Sequence, residues 1–143
     1  MEYSLNISGG ESGAIDIVKG MDILKVEFKI FQSDKGFTDR SDRLYNEIVI
    51  EGKIRKETKQ ATKSMLDWSK KTKEAEVYKS VEIKVYQSDE LIRDYFMKNM
   101  YCSTYVERMD ETLNRDGSTS FGTFRLELRQ RSGSIDTIKV DCD

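Results

Sequence analysis

Between Glu47 and Glu107 the hydrophobic period of the chain changes twice, and few folds accommodate that order of patterns. Ile48, Ile50 and Ile54 alternate with Val49, Glu51 and Lys53, the period of two expected of a strand with one drier face. Thr58, Ala61, Met65 and Trp68 then recur three and four residues apart, with Lys59, Gln60, Lys63, Asp67, Lys70 and Lys71 on the other side. The spacing predicts one amphipathic helix over about residues 58–72, with Ala61, Met65 and the only Trp, Trp68, on its core face. Alternation returns as Val77, Lys79, Val81, Ile83 and Val85 against Tyr78, Ser80, Glu82, Lys84 and Tyr86. Gln87–Glu90 predicts a turn into Leu91–Lys98, and Lys98-Asn99 a second turn into Met100–Glu107. A β-meander with one helix laid across it is the expected centre.

The flanks extend the same pattern. Tyr3, Leu5 and Ile7 alternate up to Gly9-Gly10, Ala14–Lys19 reads as a second strand, and Leu24, Val26, Phe28 and Ile30 oppose Lys25, Glu27 and Lys29. Beyond the meander, Met109–Ser120 reads as a polar insertion turning at Asp116-Gly117. Phe124, Leu126 and Leu128 then alternate with Arg125, Glu127 and Arg129, and Ile135 to Val140 gives a closing strand. Eight or nine strands, with turns roughly every 8–12 residues, predict a mainly β fold. The expectation is an antiparallel barrel or sandwich with one flanking helix, not a parallel α/β sheet. The chain's 143 residues suit a single domain spanning residues 1–143 around one core.

Gln32–Asn46 is long for a connection inside such a domain. It is polar and charged, yet it contains Phe37, Leu44 and Tyr45. A surface loop and an arm that orders against a partner both fit it, and the residues alone leave the two open.

Composition removes several function classes. The chain has no His, which excludes a Ser-His or Cys-His nucleophile and a His-ligated zinc. Carboxylate, lysine or tyrosine chemistry stays formally open. The pairs Asp110-Glu111 and Asp89-Glu90 fall in turns, where carboxylates serve solvation. Asp34, Asp39 and Asp42 lack the spacing and the terminal Glu of an EF-hand. Gly117–Gly122 is followed by neither Lys-Ser/Thr nor a helix, so it is no phosphate loop. Catalytic, metal and cofactor sites are therefore expected to be absent. Cys102 and Cys142 form no disulfide framework and no metal spacing, as suits a reducing cytoplasm.

Net charge is −2 with 35% charged residues of both signs interspersed, which offers no basic footprint for nucleic acid. The lysines of Lys59–Lys73 are diluted by Glu57, Asp67, Glu74 and Glu76 and read as a solvated helix face. No apolar run approaches the roughly 18–20 residues that span a bilayer, and Met1–Ser4 shows no signal-peptide pattern. Tyr78, Tyr86, Tyr95, Tyr101 and Tyr105 are expected to pack across strands. Proline is absent, so none is available to blunt a sheet edge.

Several of these residues, taken in order, carry a resemblance. They are a charged loop, a strand ending Gly52-Lys53-Ile54, a helix with Leu66-x-Trp68, and the strand Tyr78–Ile83. Arg93–Phe96, Met100–Tyr105, a polar loop with Asp116-Gly117, and Phe124-x-Leu126-x-Leu128 follow. From about Ile23 onward the chain resembles the tube proteins of contractile injection machines. These are the type VI secretion tube protein (hemolysin-coregulated protein) and the tail-tube proteins of contractile phages and phage-like bacteriocins. Two departures leave the branch of the family open. Asp110–Ser120 is longer than the pattern, and the first twenty residues match only as a generic hairpin.

The resemblance implies a non-enzymatic β-barrel-like subunit forming six-membered rings that stack into a hollow tube within a contractile sheath. The implied partners are further copies of itself and the sheath, baseplate or effector proteins of the same machine. Assembly in the cytoplasm, then expulsion or incorporation into a particle, is the implied location. In such proteins a loop between early strands reaches the next ring, and Gln32–Asn46 occupies that place. Phe37, Leu44 and Tyr45 would supply apolar contact there, with Asp39, Arg40, Asp42 and Arg43 setting register by charge pairing. The competing reading is a monomeric β-sandwich binding module that uses loops 32–46 and 109–120. A carboxylate hydrolase comes third, because no coherent site can be assembled.

Overall fold

Alternation builds a strand wherever one side of the chain can be kept dry. The computed structural model describes residues 1–10, 13–32 and 44–142, and eight strands lie among them. β1 (Glu2–Ser8), β2 (Ile15–Gly20), β3 (Ile23–Gln32) and β4 (Leu44–Ile54) come first. Helix α1 (Lys59–Ser69) and a single turn, α2 (Glu74–Val77), follow. β5 (Lys79–Gln87), β6 (Glu90–Leu113) and β7 (Thr119–Gln130) lead to a 3-10 turn at Ile135–Thr137 and a short β8 (Lys139–Asp141). The antiparallel order is β2-β1-β5-β6-β7-β4-β3, with β8 added to β6 at Asp94–Phe96.

β6 joins the two halves of this one eight-stranded sheet. It pairs with β5 from Glu90 to Met100 and with β7 from Met100 to Leu113. Met100 is opposite both Lys79 and Gln130, so the two neighbours flank β6 on opposite sides there. The handover is made by a bulge: Lys79 to Val81 on β5 faces the longer interval Met100 to Met97 on β6. Asn99 absorbs the extra residue at φ 57°, a left-handed conformation that Asn tolerates better than most residues. The turn expected at Lys98-Asn99 is thus a bulge within one continuous strand. A polar pair interrupts alternation identically in either case. What distinguishes them is the spacing of buried Met97 and Met100, three apart where a plain strand would give two.

Other expectations are corrected by similar local causes. Met109–Ser120 is a hairpin rather than a loop, pairing Thr112 with Ser120 and Leu113 with Thr119. Backbone ladder bonds form there without an apolar face to announce them. The closing strand expected at Ile135–Val140 is mostly the 3-10 turn, and only Lys139–Asp141 pairs. α1 stops at Ser69, where the Lys70 N–H donates to the Asp67 carbonyl and the Lys71 N–H to the Trp68 carbonyl, and Val77 ends α2 instead of opening β5. Gln32 belongs to β3, and Leu44, Tyr45 and Asn46 belong to β4. A register shift between Ile23 and Lys25 turns Leu24 out of the row formed by Val26 and Phe28.

Both halves of the sheet turn their apolar rows inward onto one cluster. Leu5 and Ile7, Ile15 and Ile17, Val81 and Ile83 enter it from one side. Ile48 and Ile50, Phe124, Leu126 and Leu128 enter from the other. The result is a barrel-like sandwich, and α1 inserts Met65 and Trp68 into it. The Trp68 indole N–H donates to the Val77 carbonyl at 2.9 Å, so the ring is buried without orphaning its nitrogen. The Tyr105 hydroxyl, 3.2 Å from the Thr62 carbonyl and 2.8 Å from Glu107 Oε1, ties β6 to the helix. Lys79 is also buried, its ammonium donating to the Gly9 carbonyl at 2.6 Å, and burial lowers its pKa.

Candidate assembly interface

Strands β6, β7, β4 and β3 lie side by side in the sheet order and present an outward face. Registration lines up its outward side chains in rows across the strands. Lys25 lies opposite Glu51, and Glu51 opposite Arg125; Lys29 lies opposite Glu47, and Glu47 opposite Arg129. Arg125 Nη1 is 2.9 Å from Glu51 and its Nε 3.3 Å from Glu127, while Arg129 sits 3.0 Å from Glu47. Lys25 completes its row 3.9 Å from Glu51. Each such exposed pair contributes only about 0–1 kcal/mol, so the ladder specifies register more than it stabilises. The middle of this face is self-neutralised.

The two ends of the sheet differ from its middle. At the end where β3 leaves and β4 enters, Phe31 stacks on Tyr45 with ring centroids 5.8 Å apart. The Lys29 ammonium lies 5.0 Å and the Arg129 guanidinium 5.8 Å from the Phe31 centroid, and Ile30 is 51% exposed. At the other end the β6–β7 hairpin runs past its neighbour. The last β4 pair is Ile54 with Gly122, so Thr119 and Ser120 pair with β6 alone, and Phe121 sits at the register shift between Met109 and Thr112. Met109, Leu113 and Phe121 on this ribbon are 66%, 74% and 46% exposed. The tip is braced: the Asn114 side-chain amide donates to the hydroxyls of Ser118 and Ser120 at 3.0 and 2.9 Å. The side-chain and backbone donors of Ser118 hold the Asp116 carboxyl below its ordinary pKa.

The lateral edges are also distinctive. Among the described residues, β3 is paired only with β4, and β6 beyond Met100 only with β7. The other half of the sheet carries the Glu82 carboxyl, raised in pKa by burial and then by its hydrogen bond to Asp94, against the opposing pull of Lys84. The Cys102 thiol is pushed up to about 11 by burial, which leaves it protonated and unreactive at neutral pH. Among the described residues no group of three or more His, Cys, Asp or Glu side chains is placed to hold a metal, and no helix is long and apolar enough to cross a membrane.

Of the residues singled out from sequence, Phe37, Asp39, Arg40, Asp42 and Arg43 lie outside the described residues. Leu44 and Tyr45 open β4, both half-buried, and Tyr45 meets Phe31. Ala61 is half-buried at the edge of the cluster, while Met65 and Trp68 are within it. Sequence reasoning missed Phe31, Leu113 and Phe121. Phe31 follows Ile30 directly and so falls off the alternating row; Leu113 and Phe121 sit among polar residues with no period to flag them.

No protein-family profile matches the sequence, and no curated protein matches it. Solved structures do. An Hcp protein superposes with a TM-score of 0.62 at 11% identity, over 100% of this chain and 99% of that one. Hcp1 from Flavobacterium johnsoniae gives 0.55 at 15% identity, over 100% of both chains. A chain of the six-fold symmetrised anti-feeding prophage baseplate gives 0.51 at 10% identity, over 98% of this chain and 92% of that one. The eight-stranded antiparallel sandwich with its inserted helix is the fold of the Hcp proteins.

Proposed function

We propose that the chain is a structural subunit, one tube-protein-like domain without catalysis. In this reading it assembles into six-membered rings, and the rings stack into the inner tube of a contractile injection machine. The observation that carries this reading is the pair of lateral edges on the four-stranded half of the sheet. β3 is a ten-residue edge strand, and it contains no proline. Unpaired backbone donors and acceptors along such an edge invite another strand. Three successive antiparallel pairings make β3 run opposite to β6. Rotation of copies about a common axis then sets β3 of one beside β6 of the next in an antiparallel sense, and a rotation that closes gives a ring.

Fold likeness to Hcp proteins supports the reading, and so does the low-energy character of the charged face, which suits a surface that need not bind tightly. Contacts with sheath, baseplate or effector proteins of the same machine belong to this proposal. So does assembly in the cytoplasm before use outside it. The test is chain mass by analytical ultracentrifugation across concentration, with negative-stain electron microscopy. Rings and stacked rings are the expected species. A chain that stays monomeric throughout would overturn the reading in favour of a monomeric binding module.

A further inference from the structure

On the outward face of β3, β4 and β7, cations are set against carboxylates, as in the rows Lys29–Glu47–Arg129 and Lys25–Glu51–Arg125. The next outward row breaks that rule. Lys53 on β4 is registered with Thr123 on β7, and Thr123 with Arg108 on β6, so a hydroxyl stands where an acid would. Among the described residues, neither the Lys53 ammonium nor the Arg108 guanidinium makes an ion pair or a hydrogen bond. Asp116 is within electrostatic reach of Lys53, but its carboxylate is engaged by the side chain and backbone of Ser118. Arg55, the cation that follows β4, is matched by Asp22 and Glu57. Lys53 and Arg108 border one cleft of about 480 Å3, inside the roughly 300–1,000 Å3 range of small-molecule sites. Thr123 lies between the two cations, and Leu24, turned out by its register shift, gives the cleft an apolar side. Thr112, Asn114 and Ser120 form a polar wall. That wall is fixed: Ser120 is 4% exposed, its hydroxyl accepting from the Asn114 amide at 2.9 Å and donating to Asn114 Oδ1 at 3.1 Å. Asp110 is the one carboxylate among the described residues lining the cleft, so two cations face a single acid.

We propose that this cleft binds a small phosphate monoester, with Lys53 and Arg108 holding the phosphoryl oxygens from opposite sides and the Thr123 hydroxyl donating from between them. The ligand class follows from charge, direction and size. β4 and β6 are two strand spacings apart, roughly 9–10 Å, a gap that two long side chains can close over an anion held above Thr123. Donors converge from three directions, which suits a tetrahedral group with three free oxygens; a planar carboxylate presents only two. The arginine fork meets two of those oxygens and the lysine ammonium a third. The surplus of positive charge favours a dianion over a neutral ligand. A bare phosphate would leave much of the cleft unfilled, so the ester's organic portion lies along Leu24. The cleft is built within one chain, so this site does not depend on whether the chain forms rings or tubes.

The test is isothermal titration calorimetry of the full chain with phenyl phosphate, inorganic phosphate and benzoate. Phenyl phosphate should saturate one site per chain, with inorganic phosphate weaker and benzoate weaker by about tenfold or more. Lys53→Gln and Arg108→Gln each remove one charged donor and should each weaken phenyl phosphate by about tenfold or more. Lys84→Gln, on β5, removes a cation elsewhere on the surface and should leave binding unchanged. None of the three side chains is buried, so the melting curves should stay close to wild type. Phenyl phosphate that gives no saturable heat at millimolar concentration would overturn the proposal. Benzoate binding as tightly as phenyl phosphate would overturn the phosphate assignment, and inorganic phosphate doing so would overturn the ester. An equal loss in Lys84→Gln would reduce the site to general charge attraction and overturn it as well.

Discussion

Gly122 sets the tolerance of the β6–β7 ladder at the scale of one atom. A Cβ built there would lie 2.0 Å from the Arg108 carbonyl oxygen, which is backbone and cannot swing aside. Gly122→Ala must therefore open the pairing with Met109. The expected cost is at least about 1–3 kcal/mol, the usual range for overpacking, read as a lower denaturant midpoint at unchanged m-value. Gly117, at φ 87°, is a different case: a Cβ there meets nothing within 4 Å, and only the backbone conformation penalises it. Gly117→Asn should then be tolerated much better than Gly122→Ala, although the two glycines sit five residues apart in one hairpin. An equal loss at both sites would contradict this distinction between contact and conformation.

At the level of elements, α1 is a plug and not a decoration. Thr62, Met65 and Trp68 are its buried positions, and Trp68 also anchors α2 through the Val77 carbonyl. Trp68→Ala should cost ~3–5 kcal/mol as a core truncation, measured by chemical denaturation. A loss below 1 kcal/mol would show that the helix is peripheral. This element was legible from the three- and four-residue spacing alone, because one amphipathic face against a sheet has a period no strand can imitate. β1, β2, β4, β5 and the inner half of β7 were legible for the matching reason, a dry face alternating with a wet one. The hairpin from Met109 to Ser120 was not, since both faces of a projecting ribbon are wet and alternation never arises. Nor was the extent of β6: Lys98-Asn99 breaks the pattern as a turn would, and only Met97 and Met100 record that the strand continues. The candidate interface was half legible. Tyr45 could be named for its aromatic character in a polar context, but its neighbour Phe31 and the ribbon residues come from pairing across the sheet, which one chain read linearly does not display.

At the scale of the molecule, the stacking role proposed for the connection between β3 and β4 can be tested apart from folding. Gln32 pairs with Leu44, so deleting Lys35–Arg43 leaves Ser33-Asp34 as a two-residue link of the length that closes hairpins. The expected outcome is a melting curve near wild type with no tubes in electron microscopy; normal tubes, or loss of the fold, would reject a role confined to stacking. The bulge at Asn99 has a consequence of its own for how the protein comes apart. Because β6 pairs with β5 up to Met100 and with β7 beyond it, neither half of the sheet can be dismantled while the other stays whole. The amides of β5 and β7 should then exchange with deuterium through one shared opening event, with a common free energy, where two independent halves would show two.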